Sequence, residues 1–203
     1  MWRSMLAAVA MLGWATPSQA CTVSPTYVRP TNFELVGRAD AIVVATPIAL
    51  VGHNAIRFRV EQVVKGAAPP EVVIGWMSFD LTPVPSTPSD LDDLSGAHPD
   101  LGRGCFRRHY VAGQRYLLFI GGDGREDRYL LEQPFSRVSE DYRGEDTAWQ
   151  RTVRRYVALQ QRLAPAAQRA ALQAMLVTGR DPDGSILTSS EQADIRDHLA
   201  RTR

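Results

Sequence analysis

The pattern of apolar and polar residues divides the chain into an early strand-rich part and a helical end. Residues 41–50 form an apolar, β-branched run, and residues 55–64 alternate between apolar and polar positions, so two strands are predicted here. Residues 65–70 contain a glycine and two prolines, which indicates a turn. Residues 71–76 are again apolar and predict a third strand.

A β-hairpin is predicted farther along, where residues 115–120 and 128–132 flank a Gly-Asp-Gly sequence. The glycines at 121–124 superficially resemble a phosphate-binding loop. That loop needs a following helix and a Lys-Ser/Thr pair, and the sequence has neither at this point, so a turn is favoured.

Helices are predicted at both ends of this strand-rich part. Residues 31–40 form a short helix that Thr31 or Asn32 can cap, with Glu34 in the first turn. From Asp146 onward the period becomes helical, and five apolar residues fall on one face: Trp149, Val153, Tyr156, Val157 and Leu163.

Two more helices follow at the end of the chain. Pro165 begins one, with Leu172, Met175 and Leu176 predicted inward, and Gly179 closes it. Thr188 and Glu191 form a capping box for the last, in which Ile195 and Leu199 are predicted inward.

These elements predict a mainly β protein: a five-stranded Greek-key barrel of the OB type with an early helix, followed by a small helical segment. The corresponding division is a signal peptide at 1–20, an OB domain at 21–141 and a helical extension at 146–203. Between strands, residues 77–104 read as one long loop containing an acidic cluster: Asp90, Asp92 and Asp93. Such a loop is either a binding loop or a solvated insertion.

The first twenty residues predict export. Arg3 precedes a short apolar run at residues 5–14, and a polar exit ends in Ala20, as in a secretory signal. Cleavage there makes Cys21 the first residue of a periplasmic or secreted protein. The alternative is lipidation of Cys21, which a signal with Ser18 and Gln19 before the cysteine fits less well. The run is too short for a membrane span, so no span is predicted.

Charge and cysteine content exclude several classes of protein. The chain has 23 basic and 22 acidic residues, with Lys65 as its single lysine, whereas nucleic-acid binders show a basic excess. The chain has two cysteines, Cys21 and Cys105, and in an exported protein they most simply form a disulfide. Their number and spacing exclude a zinc finger or a Cys-x-x-Cys redox pair.

The sequence contains no motif of a known catalytic class: no Gly-x-Ser-x-Gly, no His-Glu-x-x-His and no Walker loop. We therefore predict that the protein is not an enzyme and uses no cofactor. The four histidines are scattered and are predicted to be surface residues: His53, His98, His109 and His198. Residues 181–191 faintly resemble a calcium loop, but aligning Gly184 with the invariant glycine of such a loop puts Gly179 at the first ligand position and Ser190 at the twelfth, where a carboxylate is needed. A turn between helices is therefore predicted.

Three stretches resemble the N-terminal domain of the tissue inhibitors of metalloproteinases, a netrin-like OB domain. The segments "CTVSP" from Cys21, "RADAIVVATPI" with "IRFRVEQVVKG", and Cys105-Phe106 with "VAGQRYLLFIGG" occur in the family's order. The resemblance covers about residues 21–134. Val23 stands where that family has a second cysteine, and the residues after Asp146 have no counterpart.

The resemblance implies a site at the mature N-terminus. In that family the first cysteine chelates the zinc of the protease through its α-amine and carbonyl oxygen. Cys21 would be the chelator, Thr22 the residue in the specificity pocket, and Cys105 the disulfide partner. Two functions are expected from the sequence: an exported binding module for a protein partner, recognised by the long loop or the helical end, or an inhibitor of a zinc metalloprotease.

Overall fold

Eight strands and four helices make up the described part of the chain. The computed structural model describes residues 26–53, 55–75, 79–82, 89–95, 108–121, 129–130 and 136–202. The strands are β1 Ala41–Val51, β2 Ala55–Lys65, β3 Glu71–Gly75, β4 Phe79–Thr82, β5 Arg108–Val111, β6 Tyr116–Gly121, β7 Tyr129–Leu130 and β8 Ser139–Asp141. The helices are α1 Asn32–Arg38, α2 Ala148–Arg162, α3 Pro165–Thr178 and α4 Ser189–Arg201.

The main sheet is antiparallel and has the order β3-β2-β1-β6-β7, with β8 also pairing with β6. Strand β1 lies at its centre, and all of its residues from Ala41 to Pro47 are buried. The β6–β7 pair confirms the predicted hairpin, although residues 122–124 of its turn lie outside the described residues.

A second, two-stranded sheet pairs β4 with β5 in parallel. Leu81 lies opposite Tyr110, and Thr82 lies opposite Val111. The prediction of an uninterrupted loop over residues 77–104 is therefore wrong for Phe79–Thr82. The missed strand pairs with a segment distant along the chain, and such a contact leaves no local periodicity in the sequence.

The main sheet is packed on both faces. One face carries Ile42, Val44, Leu117 and Phe119 against the helices, in a core that also contains Trp149. The other face forms a second core, which includes Tyr110 of the two-stranded sheet. Its members are Ala41, Val43, Ala45, Ile56, Phe58, Val72, Ile74, Tyr110, Tyr116, Leu118 and Ile120. The helices and β5 thus lie on opposite sides of the same central strands.

Local signals placed the helices correctly. Thr31 caps α1 in a capping box with Glu34, and Thr188 caps α4 in a capping box with Glu191. Gly179 ends α3 with φ 66°, in the left-handed region. The interhelix turn predicted around residues 181–191 is also present, closed by a bridge between Arg180 and Ile186.

The single lysine links β2 to the end of α1. The ammonium of Lys65 donates to the carbonyl oxygens of Val36 at 2.7 Å, Gly37 at 3.2 Å and Ala39 at 2.6 Å. These carbonyls lie at the helix C-terminus, where no intrahelical donor reaches them and a positive charge is favoured. Burial lowers the pKa of Lys65, and nearby Asp40 opposes that shift.

The predicted fold class is confirmed in its coarser part: strands dominate the first part, with one early helix, and helices follow. The described residues show a mixed α/β protein with an open hydrogen-bonded sheet rather than five strands in a closed barrel. The helical end shares one apolar core with the sheet. Within the described ranges, no helix is long and apolar enough to cross a membrane.

Candidate functional site

The residues that the sequence predicted for the site, Cys21, Thr22 and Cys105, lie outside the described residues. The N-terminal site and the disulfide therefore stay predictions. The described chain begins at Thr26 and reaches α1 through Arg29 and Pro30, which border the first of the two grooves described below.

A groove of about 780 Å³ opens between α1, the segment 89–95 and α4. Most of the residues that line it are of polar types, and they include five aspartates and two arginines: Asp90, Asp92, Asp93, Asp194, Asp197, Arg29 and Arg201. We call this the α1–α4 groove. Its volume lies in the range of ligand sites in proteins, about 300–1,000 Å³. The acidic cluster of the predicted long loop thus faces the last helix of the chain.

Backbone hydrogen bonds fix the loop side of the groove. Asp90 Oδ1 accepts the N–H groups of Asp92 at 3.0 Å and Asp93 at 3.1 Å, a turn typical of aspartate. Asp92 Oδ1 accepts the N–H of Ala148 at 3.0 Å, in the first turn of α2, where a negative charge is favoured. The loop is therefore fastened to the helical end.

Two contacts join the loop to α1 and α4. The amide of Asn32 donates to the carbonyl oxygen of Leu94 at 3.0 Å, and Ser190 Oγ accepts the N–H of Leu94 at 3.0 Å. The groove is consequently built from three separate parts of the chain that hold one another in position.

The arginines of the groove are already engaged. Arg29 donates to the carbonyl oxygen of Ser95 at 3.0 Å. Arg201 pairs with Asp197 at 2.9 Å, one turn earlier on α4, and donates to the carbonyl oxygen of Arg29 at 3.1 Å. These contacts tie the entering chain to the last helix.

Asp194 lines the groove and is half-buried. Its Oδ1 accepts the amide of Asn32 at 2.7 Å, and its Oδ2 accepts the hydroxyl of Tyr156 at 2.6 Å. Burial raises the pKa of Asp194 to about 6, although both hydrogen bonds oppose this shift. Burial and the neighbouring carboxylate also raise the pKa of Tyr156 well above its usual value.

His198 lies beneath this region, on the side of α4 facing α1. The prediction of a surface histidine is wrong here, since only 8% of His198 is exposed. Its Nδ1 is 2.9 Å from Thr31 Oγ1, and its ring lies 4.6 Å from that of Phe33. Burial lowers the pKa of His198. His53 is exposed as predicted, whereas His98 lies outside the described residues.

A buried ion-pair network holds α2 against α4. Glu191 accepts from Arg155 at 3.1 Å and Arg151 at 3.3 Å, and Arg155 also pairs with Asp181 at 3.2 Å. Burial alone would raise the pKa of Glu191, but the N–H of Thr188 and the arginines hold it below its ordinary value. Arg151, Arg155 and Asp181 also line part of a second groove of about 500 Å³.

Metal binding has no support in the described residues, which contain no group of three or more histidine, cysteine, aspartate or glutamate side chains able to hold a metal ion. The aspartates of the α1–α4 groove accept hydrogen bonds from N–H and O–H groups instead. The arrangement can bind a ligand through charge and hydrogen bonds.

Sequence reasoning found one side of this groove and missed the other. It identified Asp90, Asp92 and Asp93 but not Asp194, whose partners come from α1 and α2. A signal did exist: Asp194, Asp197 and Arg201 recur at the three- and four-residue spacing of one helix face. Polar residues on one helix face also describe an ordinary solvated surface, so the spacing alone did not indicate a site.

Comparisons with protein-family models, with curated proteins and with solved structures found no match. The resemblance to the metalloproteinase inhibitors therefore stays a prediction, resting on the three sequence stretches that carry it.

We expect Asp194→Asn to stabilise the protein near neutral pH. A carboxyl group with a raised pKa favours the folded state when protonated, and this contribution is lost as the pH rises through about 6. Asparagine removes the partly buried charge, so the variant should gain on the order of 2 kcal/mol at about pH 7.5 and almost nothing at about pH 4. Urea denaturation at both values measures this.

The matched control is Asp183→Asn, which changes an exposed aspartate outside the α1–α4 groove. The difference between variant and wild type cancels the contribution of His198, which both proteins share. A gain equal at both pH values, or equal to that of the control, would contradict the account of Asp194.

Proposed function

We propose that the chain is an exported protein-binding module that holds its partner in the α1–α4 groove. The observation that carries this proposal is the composition of the groove. It combines the described part of the long loop, residues 89–95, with α4 of the helical end. These are the two parts of the sequence for which a binding role was predicted.

The geometry of the groove supports a role in binding rather than a role in stabilising the fold. The groove is open and charged, whereas the contacts that hold the fold are supplied by the two apolar cores. Its walls are prearranged by the hydrogen bonds of Leu94 and Asn32, and preorganisation lowers the entropic cost of binding.

The proposal extends to the OB-type character of the strand region. In support, β1, β2 and β3 form an antiparallel meander. Strands β3 and β7 lie at opposite ends of the sheet order and are nevertheless in contact, as in a sheet that curls towards closure. OB domains commonly use one side of such a barrel for recognition.

A groove-blocking substitution tests the binding role. The full exported chain is used as bait in the extracellular fraction of its source, the captured protein is purified, and its dissociation constant is measured by calorimetry. Ala193→Arg places a large side chain at an exposed position in the groove wall, and at least a tenfold weaker affinity is expected.

Ala174→Arg is the matched control, because Ala174 is exposed on α3 and does not line the groove. Equal affinity of both variants for the purified partner would refute the groove as the binding site.

A second candidate function is inhibition of a zinc metalloprotease through the α-amine and carbonyl of Cys21, with Thr22 in the specificity pocket. The observation that favours it is the anchoring of Arg29, soon after the predicted mature start, by Ser95 and Arg201. Anchoring a segment close to a chelating terminus reduces the entropy lost on binding.

Processed protein that begins at Cys21 should then inhibit members of a zinc protease panel, and an additional N-terminal alanine should abolish inhibition. The Ala193→Arg variant should inhibit normally, which separates this function from groove binding. Equal inhibition with and without the added alanine would exclude the chelating terminus.

A further inference from the structure

Asp194 is half-buried, and it differs from the buried carboxylates Glu140 and Glu191 in forming no ion pair. Glu140 pairs with Arg137 at 3.2 Å, and Glu191 pairs with Arg155 at 3.1 Å. Asp194 receives its hydrogen bonds from two neutral donors, the amide of Asn32 and the hydroxyl of Tyr156. Among the described residues, no ion pair to Asp194 is present.

The arginines near Asp194 are committed elsewhere. Arg201 pairs with Asp197, and Arg29 donates to the carbonyl oxygen of Ser95. Arg137 pairs with Glu140 and lies over the ring of Trp149 at 4.7 Å. It also donates to the carbonyl oxygens of Asp90 and Asp93. The carboxylate of Asp194 thus forms no ion pair, although the positive charge of Arg137 acts to lower its pKa.

A carboxylate taken out of water without a counter-charge destabilises the folded protein. A positive group that entered the groove would offset this cost, because its attraction to the carboxylate is stronger where water is partly excluded. The two neutral donors orient the carboxylate but leave it lone pairs, since each oxygen can accept more than one hydrogen bond.

We propose that Asp194 anchors the basic side chain of a protein partner in the α1–α4 groove, and that acidification releases this side chain by protonating Asp194. The inference rests on the proposed function, whose groove it uses, and it specifies the chemistry of the partner. The four other aspartates of the groove add a negative field around the anchor: Asp90, Asp92, Asp93 and Asp197.

The titratable and charged groups that face this site come from every element packed around it. They are Glu34 of α1, Arg155 and Tyr156 of α2, Arg169 of α3, Glu191, Asp197, His198 and Arg201 of α4, Asp90, Asp92 and Asp93 of the loop, and Arg29 and Arg137. Of the groups with a described shift, Asp194 has a pKa of about 6, and burial lowers the pKa of His198. His198 faces Thr31 and Phe33. Its protonation would also repel a basic ligand, so protonation of Asp194 and protonation of His198 both weaken the binding of that ligand.

The test uses the full chain labelled with ¹⁵N and three capped peptides of the form Gly-Ser-X-Ser-Gly. X is arginine, lysine or citrulline, the last being a neutral isostere of arginine. Titrations at about pH 7.5 and about pH 5 follow the amide resonances of segment 89–95 and α4. The arginine and lysine peptides are expected to bind, and the citrulline peptide at least tenfold more weakly.

Affinity for the basic peptides is expected to fall about tenfold between the two pH values, as the ionised fraction of an acid with a pKa of about 6 does. The affinity of the Asp194→Asn variant at about pH 7.5 should fall to that of the wild type at about pH 5. Most of the pH dependence of binding should disappear in this variant. Asp183→Asn is the control and should bind as wild type does.

Three results would overturn the inference: no binding of the basic peptides at concentrations up to about 10 mM, equal binding of the citrulline peptide, or unchanged affinity in Asp194→Asn. Binding of the natural partner distinguishes failure of this inference from failure of the proposed function. If Ala193→Arg prevents binding of the natural partner but Asp194→Asn does not, the groove is the binding site and the anchor is not Asp194. If neither substitution has an effect, the groove itself is not the site.

Discussion

A chain that ends at Asp141 is expected not to fold. The helices that follow cover the sheet face formed by Ile42, Val44, Leu117 and Phe119. Trp149 is fully buried and stacks on Phe119 at a ring distance of 5.8 Å. Each large apolar side chain that the deletion exposes lowers the free energy of unfolding by about 2 kcal/mol. Several such losses together exceed the free energy of unfolding of a typical domain, about 5–15 kcal/mol.

Circular dichroism and urea denaturation of the shortened chain, with the full chain as control, measure this expectation. The shortened chain should give no cooperative transition and a poorly dispersed NMR spectrum. A cooperative transition with dispersed resonances would instead support the division at residues 141–146, with an independent strand domain and a separable helical extension.

Gly66→Ala is expected to destabilise the protein by about 3 kcal/mol or more. Gly66 has φ +71°, and an added Cβ would lie 2.0 Å from the carbonyl oxygen of Asp40. Because the clash is with backbone, no side-chain rearrangement relieves it. The preceding Lys65 would also be displaced from the carbonyl oxygens that it caps at the end of α1.

Gly52→Ala is the matched control for this substitution. Gly52 also has a positive φ of +62°, but an added Cβ would have no neighbour within 4 Å. The control should therefore lower the free energy of unfolding only by the cost of a positive φ for alanine, about 1 kcal/mol. Urea denaturation midpoints of both variants measure the difference, and equal losses would show that the approach to Asp40 does not matter.

Local signals in the sequence were sufficient for the helices and for β1, β2, β3, β6 and β7 of the main sheet, but the short strand β8 was not predicted. The capping boxes at Thr31 and Thr188 and the glycine at the end of α3 act within a few residues, so they are visible in the sequence. The alternation in β2 reflects one buried face, which is the pattern that a half-covered strand requires.

Features that depend on distant contacts were not visible. Strand β4 pairs in parallel with β5, which follows it only after a long intervening segment, and proline-rich flanks conceal it. His198 is buried because Phe33 and Thr31 arrive from the other end of the chain. Asp194 gains its partly buried environment in the same way, from Asn32 and Tyr156.

Site-specific photo-crosslinking tests the groove most directly. A benzophenone amino acid is placed at Ala193, in the groove wall, or at Ala174, exposed on α3, in the full chain expressed in its source organism. The account predicts a covalent adduct with one partner protein from position 193 that is absent from position 174. Identical adducts from both positions, or an adduct from position 174 only, would contradict it.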